Sequence, residues 1–107
     1  PEVRTGLVAT EVAGWDRGGN VATLARSEAL AGAGLGVGDP VVIDAGASER
    51  RAVVGRAFAD VPAGDLLVHV DSHGWVAVAV NRGDAASVLT AEEGMRIRLR
   101  GTSPIPT

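Results

Sequence analysis

Two short segments hold most of the side chains that could do chemistry. WDRGGN, residues 15–20, puts an acid, a base and an amide beside an indole. VDSHGWVAVAVNRGD, residues 70–84, puts a polar cluster at each end of an apolar strand. Each segment can be read as nothing more than a tight turn, but each also carries one of the only two tryptophans of the chain at the border of a polar loop. We therefore take these two segments as the candidate functional residues.

The usual catalytic and cofactor-binding patterns are hard to assemble from these residues. Asp71–His73 contains the three residue types of a hydrolase triad, but neighbours on one tight turn rarely aim three side chains at each other. Cysteine is absent, and His69 and His73 lack supporting ligands at metal-like spacing. The glycines between residues 32 and 38 are not framed by a strand and a helix as a dinucleotide-binding site requires. The sequence predicts no metal and no cofactor.

Length and composition predict one folded domain without a nucleic-acid or membrane partner. A chain of 107 residues can bury a single core, and 46% hydrophobic residues are typical of a folded protein. The net charge is −3, and the sequence shows no basic stripe of the kind that nucleic-acid binding requires. No apolar run approaches the roughly 20 residues that span a bilayer, and the first residues form no hydrophobic signal region. We expect a cytoplasmic protein.

The strands that must position these residues are short and rich in valine. Such runs, separated by Gly, Pro, Asp and Asn, predict an all-β fold, a compact, mainly antiparallel barrel-like domain. MRIRLR, residues 95–100, alternates strictly, so Met95, Ile97 and Leu99 are expected to face inward. Two hairpins are predicted, one within residues 43–54 around Gly46 and one within residues 65–80 that reverses at Asp71–Gly74.

Two segments break the β pattern and predict short helices packed on the sheet. Leu24, Ala29 and Leu30 stand at helical spacing before a run of glycines, which predicts a helix near 26–30. Asp84 is placed as an N-cap for a second helix that reaches residue 89. Residues 101–107 contain two prolines that block continued ladder pairing, so they are expected to form a tail of the single domain 1–107.

The polar clusters also carry a resemblance to a known family. The pattern Ser-x-Gly-aromatic-x-x-Ile/Val-Ala-x-Asn, a small-residue helix and then EGM-x-Ile/Val-x-Ile/Leu resembles the C-terminal domain of the S-adenosylmethionine hydroxide adenosyltransferases, fluorinases and chlorinases. The match runs from Phe58 to Leu99, and DRGGNVAT upstream resembles the family's Asp-x-Phe-Gly-Asn-Ile/Val-x-Thr segment. The resemblance implies contacts with S-adenosylmethionine by the matching positions, which are Asp16, Asn20, Ser72, His73, Asn81 and Arg82.

The departures from the family pattern change what the resemblance implies. Gly18 stands where the family has phenylalanine, Ala22 replaces an aromatic residue, and His73 replaces a residue that is often basic. The family's N-terminal domain, which supplies the ribose-binding acid and much of the reaction chamber, has no counterpart in these residues. We therefore expect that this chain does not perform the family's displacement reaction.

In length, domain content and its Trp-bearing hairpin the chain resembles small cyclases of macrolide pathways of the streptoseomycin and nargenicin type, which catalyse transannular (6+4) and (4+2) cycloadditions. That chemistry needs a pocket that orients a polyene rather than an acid, a base or a cofactor. This reading predicts a homotrimeric pericyclase acting on a polyene macrolactone. The catalytic residues would be Trp75, His73 and Asn81, and the substrate-binding residues would be Trp15, Asp16, Asn20, Ser72 and Arg82.

Two other readings compete with the cyclase. One is an accessory module that binds S-adenosylmethionine or adenosine without catalysis, and the other is a structural remnant that only trimerises.

Overall fold

The computed structural model describes residues 1–102, which form a small closed β-barrel with two short helices on its outside. The strands are β1 (Glu2–Arg4), β2 (Leu7–Trp15), β3 (Val21–Arg26), β4 (Pro40–Ala45), β5 (Ser48–Val54), β6 (Leu66–Val70), β7 (Trp75–Val80) and β8 (Arg96–Gly101). The helices are α1 (Ser27–Ala33) and α2 (Ala85–Leu89), and a single 3-10 turn covers Phe58–Asp60.

The barrel closes because β2 pairs with neighbours on both of its edges. Around the barrel the order is β2, β3, β7, β6, β5, β4, β8, and β8 then pairs with β2 from Leu7↔Arg100 to Glu11↔Arg96. The short strand β1 adds to β2 outside this circuit. Every pairing is antiparallel except that of β5 with β6. The predicted fold class, a mainly antiparallel, barrel-like β domain with one or two short helices, is confirmed.

Alternation along the strands fills the barrel interior with aliphatic side chains. Val76, Val78 and Val80 of β7 belong to the buried core, and so do Ile97 and Leu99 of β8. The arginines between the β8 core positions lie on the outer face, as predicted, while Met95 is only partly buried at the edge of the core. The interior is therefore a packed core, and any ligand site must lie on the outer wall or at the barrel ends.

Both predicted hairpins are confirmed. β4 and β5 are joined by the two-residue loop Gly46–Ala47, whose first residue has a φ of +59°, as the tight hairpin turns that suit twisted strands require. β6 and β7 reverse through Asp71–Gly74, and Gly74 adopts a φ of +87°.

Of the two predicted helices, the second is where it was expected and the first begins later. The Asp84 side chain accepts a hydrogen bond from Ser87 N and caps α2. Leu24, in contrast, lies on β3 and is 46% exposed. β3 continues as far as Arg26, which pairs with Trp75, so α1 starts only at Ser27. The helical spacing of Leu24 was misleading because strand pairing decides the conformation there.

The predicted tail begins two residues too early. Gly101 is the last residue of β8 and pairs with Val41, and Thr102 N donates to Pro40 O at 3.3 Å. The rest of the predicted tail, residues 103–107, lies outside the described residues. No helix within residues 1–102 is long and apolar enough to cross a membrane.

Candidate functional site

An open groove on the outer wall of the barrel brings together most of the residues singled out from the sequence. Its volume is about 510 Å³, within the range of about 300–1,000 Å³ typical of small-molecule sites. It lies across β2, β3, β7 and β6 and includes the Trp15–Asn20 loop and the Asp71–Gly74 turn. The lining residues are Ala13, Gly14, Trp15, Asp16, Asn20, Ala22, His69, Asp71, Ser72, His73 and Ala77.

The floor of the groove consists of small outward-facing residues on neighbouring strands. Ala22 of β3 pairs with Ala77 of β7, and Ala77 pairs in turn with His69 of β6. Ala13 and Gly14 of β2 extend this floor to the fourth strand. Ala13, Gly14 and Ala22 keep exposed surface, whereas Ala77 is only 3% exposed. A flat ligand can therefore contact the sheet mainly on β2 and β3.

The loop and the turn come from opposite ends of the barrel. Trp15 pairs with Val21, and Val21 pairs with Val78 near the end of β7. The Asp71–Gly74 turn instead precedes Trp75 at the start of β7. The groove thus lies along the strands, with a polar segment at each end.

Asp16 organises the first polar segment. Its Oδ1 accepts a hydrogen bond from Asn20 N at 3.0 Å and its Oδ2 accepts one from Asn20 Nδ2 at 2.9 Å. These bonds, led by the one from the Asn20 side chain, lower the pKa of Asp16 below its ordinary value of 3.8. The carboxylate is therefore ionised at neutral pH and gives this end of the groove a negative charge. Beside it, the Trp15 side chain is 48% exposed and available for stacking.

Helix α2 supports this loop from the other side. Gly19 is buried against Asp84, and Ala86 N donates a hydrogen bond to Gly19 O at 3.0 Å. The backbone φ of Gly19 is +83°, a conformation that favours glycine. The helix that the family pattern places after the β7 strand therefore serves to hold the loop in place.

Asp71 organises the second polar segment in the same way. Its Oδ1 accepts hydrogen bonds from His73 N at 2.9 Å and from Trp75 N at 3.0 Å. This closes the turn and leaves the side chains of Ser72 and His73 exposed. Within residues 1–102 no hydrogen bond joins the side chain of one of Asp71, Ser72 and His73 to the side chain of another, so the geometry of a hydrolase triad is not present.

Three other predicted site residues lie away from the groove lining. The Trp75 ring is half-buried with the Arg26 guanidinium 4.5 Å from its centroid. Asn81 Nδ2 donates to Val61 O at 2.8 Å and holds the β5–β6 connection. Arg82 is exposed in the turn after β7 with a φ of +57°. The structure gives Trp75 and Asn81 partners within the fold, and their predicted catalytic role stays a prediction.

Sequence reasoning missed the floor of the groove and His69. Alternation along β3 and β7 places Ala22 and Ala77 on the outer face, but an alanine in a sequence does not indicate a binding site. His69 was considered only as a metal ligand, and within the described part of the chain no three His, Cys, Asp or Glu side chains come together as a metal site needs. The period-2 pattern of β6 could have placed His69 on the outer face beside the turn.

Two further depressions lie on the barrel. One, of about 360 Å³, is lined by residues of β1, β2, β3 and β8 with Arg96 and Arg98 among them. The other, of about 410 Å³, lies between α1 and the ends of β5 and β6 and is mostly apolar. Neither contains the loop or the turn, so the groove is the candidate site.

Taken together, these features describe a closed β-barrel domain whose candidate ligand site is an open groove with a polar segment at each end. A family model described as the SAM hydroxide adenosyltransferase C-terminal domain matches residues 10–98. The chain belongs to this family. The matched range contains every lining residue of the groove.

The names of curated relatives agree with this membership. The chain is 54% identical over 52 residues to a protein of Salinispora arenicola and 46% identical over 50 residues to one of Thermus thermophilus, both named (R)-S-adenosyl-L-methionine hydrolase. These matches cover 49% and 47% of this chain and 20% of each relative, so the matched segment spans about a fifth of their length.

The solved structures match over nearly the whole chain. A crystal structure of an uncharacterized conserved protein from Thermotoga maritima superposes with a TM-score of 0.89 at 40% identity, covering 94% of this chain and 38% of that one. A conserved hypothetical protein from Thermus thermophilus gives a TM-score of 0.65 at 37% identity, covering 92% of this chain and 37% of that one.

These findings correct the functional prediction. The relatives are named S-adenosylmethionine hydrolases and the matching family model is also defined by S-adenosylmethionine chemistry. The prediction of a pericyclase that acts on a polyene macrolactone is therefore wrong. The resemblance to macrolide cyclases rests on chain length, domain content and the Trp-bearing hairpin, none of which determines chemistry.

Proposed function

We propose that this domain binds the adenosine part of S-adenosylmethionine in the groove and contributes half of a ligand site in an S-adenosylmethionine hydrolase. One observation carries the proposal. The two family-matching polar segments, which are far apart in sequence, line a single groove together with the small residues between them. The names of the relatives supply the identity of the ligand.

The groove has the chemistry that this ligand requires. A purine ring is flat and apolar on its faces, and it would lie on the half-buried Ala22 beside the exposed Trp15 indole. Hydroxyl and amino groups of the ligand would reach Asn20, Ser72 and His73 at the groove ends. S-adenosylmethionine also carries a sulfonium and an ammonium cation, and the ionised Asp16 carboxylate attracts positive charge.

The proposal assigns binding and not bond cleavage to this chain. The polar groups of the groove are used to shape their own loops or are exposed singly, and among its described residues no nucleophile stands beside a base as covalent chemistry requires. In the relatives the matched segment is about a fifth of the protein. Any hydrolysis would need groups beyond those of this groove.

Titration calorimetry with S-adenosylmethionine, adenosine and methionine tests this function. Binding of S-adenosylmethionine and adenosine, with quenching of Trp15 fluorescence, is the expected result. Asp16→Asn should weaken binding of S-adenosylmethionine by about tenfold, as expected for the loss of a charged partner. Asp65→Asn makes the same change of charge outside the groove lining and should leave the affinity unchanged. Failure of the wild-type domain to bind either adenosine compound would overturn the proposal.

The predicted homotrimer belongs to the same proposal. It is supported by the resemblance to a trimeric family and by large apolar side chains that are exposed on this domain, including Val37 at 56% and Phe58 at 47%. Light scattering at micromolar concentration should give three times the mass of one chain, and a monomer would contradict it.

A further inference from the structure

Among the described residues that line the groove, His69 is the one whose buried polar atom has no partner. Its Nε2 has almost no exposed surface, and no group within residues 1–102 hydrogen-bonds to it. Leaving a buried polar atom unpaired is destabilising, and such atoms are uncommon in folded proteins. The position is on β6, beside Ala77 of the groove floor, where an aliphatic residue would satisfy the fold at least as well.

The surroundings of the ring show where a partner could come from. Phe58 contacts the imidazole edge-on, with ring centroids 6.2 Å apart, and Phe58 is 47% exposed. The strand partner Ala77 offers only a methyl group. His69 lines both the groove and the mostly apolar depression beside α1. Of these two, the groove has the polar segments of the Trp15–Asn20 loop and the Asp71–Gly74 turn, so we take the groove as the side from which a polar ligand group approaches the ring. A turn of the imidazole about its Cβ–Cγ bond changes which ring atoms face the groove.

We propose that His69 is a positioning residue for the nucleoside, giving a hydrogen bond from its imidazole to a polar edge of the base or ribose. This inference rests on the proposed function. In the absence of ligand the unpaired nitrogen makes the domain less stable than it could be, and binding supplies the missing partner. His69 thus lowers the stability of the free domain and raises its affinity for the nucleoside.

This exchange can be measured with paired variants. His69→Leu removes both nitrogens, so it should raise the melting temperature by about 4 °C or more and weaken adenosine binding by about tenfold. His69→Gln keeps a hydrogen-bonding group of similar reach and should recover part of the affinity. Thr10→Val is the matched control, because Thr10 Oγ1 is the other buried side-chain atom without a partner in the described part of the chain and Thr10 does not line the groove. It should stabilise the fold without changing the affinity.

A spectroscopic measurement separates positioning from packing. The chain has only two histidines, so long-range ¹H–¹⁵N spectra can resolve the imidazole nitrogens, and adenosine should shift those of His69. The inference is overturned if the wild type binds adenosine while His69→Leu binds equally well, or if the imidazole signals of His69 do not move. If the wild type does not bind adenosine, the proposed function fails and this inference fails with it. The titration of the wild type alone distinguishes that outcome from failure of the His69 inference, in which the wild type still binds.

Discussion

Gly19→Ala is expected to destabilise the domain because Gly19 is where the Trp15–Asn20 loop touches the start of α2. A methyl group there would collide with the Asp84 carboxylate and lie 2.9 Å from Asp84 Cα. The φ of +83° adds about 1–2 kcal/mol for any residue with a Cβ. If Asp84 moves away, it gives up the capping hydrogen bond from Ser87 N, worth about 1 kcal/mol. The expected loss is about 2–3 kcal/mol.

Gly18→Ala is the control for this prediction. Its methyl group would meet Asp16 Oδ1 at 3.4 Å, which is ordinary contact, and its φ is outside the left-handed region. Urea denaturation followed by circular dichroism measures both variants. Gly19→Ala should also melt about 10 °C below the wild type and bind adenosine more weakly, since the loop that carries Asp16 and Asn20 must shift. The reasoning is refuted if the two variants unfold within about 0.5 kcal/mol of each other.

Three more changes test individual contacts. Arg100 donates two hydrogen bonds to Asp44, and these lower the pKa of that carboxyl below 3.8; the resulting stability is present above about pH 4 and is lost as the pH falls through the folded-state pKa. Asp44→Asn should therefore lower the melting temperature slightly at pH 7, and the difference from wild type should shrink as the pH falls below about 4. Asn81→Ala removes a partly buried hydrogen bond to a backbone carbonyl. Urea denaturation should therefore show a loss of about 1–2 kcal/mol in the free energy of unfolding, and the affinity for adenosine should be unchanged. Lost affinity with intact stability would instead support the predicted ligand role of Asn81. Arg26→Ala removes the cation over Trp75; we expect a loss of about 0.5–1 kcal/mol and a shifted Trp75 emission, and an unchanged spectrum would contradict the contact.

Those parts of the fold that depend on local signals were predictable from the sequence. The Asp71–Gly74 reversal, the Asp84 cap and the alternation of β8 each depend on residues within a few positions of one another. Closure of the barrel depends on pairing Leu7 with Arg100, two residues at opposite ends of the chain, and no local pattern encodes that contact. The same limit explains the error at Leu24, where pairing of β3 with β7 outweighs helical spacing.

The candidate site divides in the same way. Asp16, Asn20, Ser72 and His73 were found because polar residues beside glycines are conspicuous in a valine-rich sequence. Ala22 and Ala77 were not predicted, because only the pairing of β3 with β7 brings them together and alanine carries no chemical signal. In the family pattern, Ala22 stands where an aromatic residue is expected. In the structure Ala22 lies on the floor of the groove and is partly exposed.

The two polar clusters flank β7 because their aspartates first build the backbone. Asp71 accepts from two amides of its own turn, and Asp84 accepts from the first turn of α2. Asp16, in the other segment, does the same for Asn20. Each aspartate fixes a loop that the strands alone would leave undetermined. Because these carboxylates fix the backbone of the loops, the neighbouring side chains are set at defined positions along the groove.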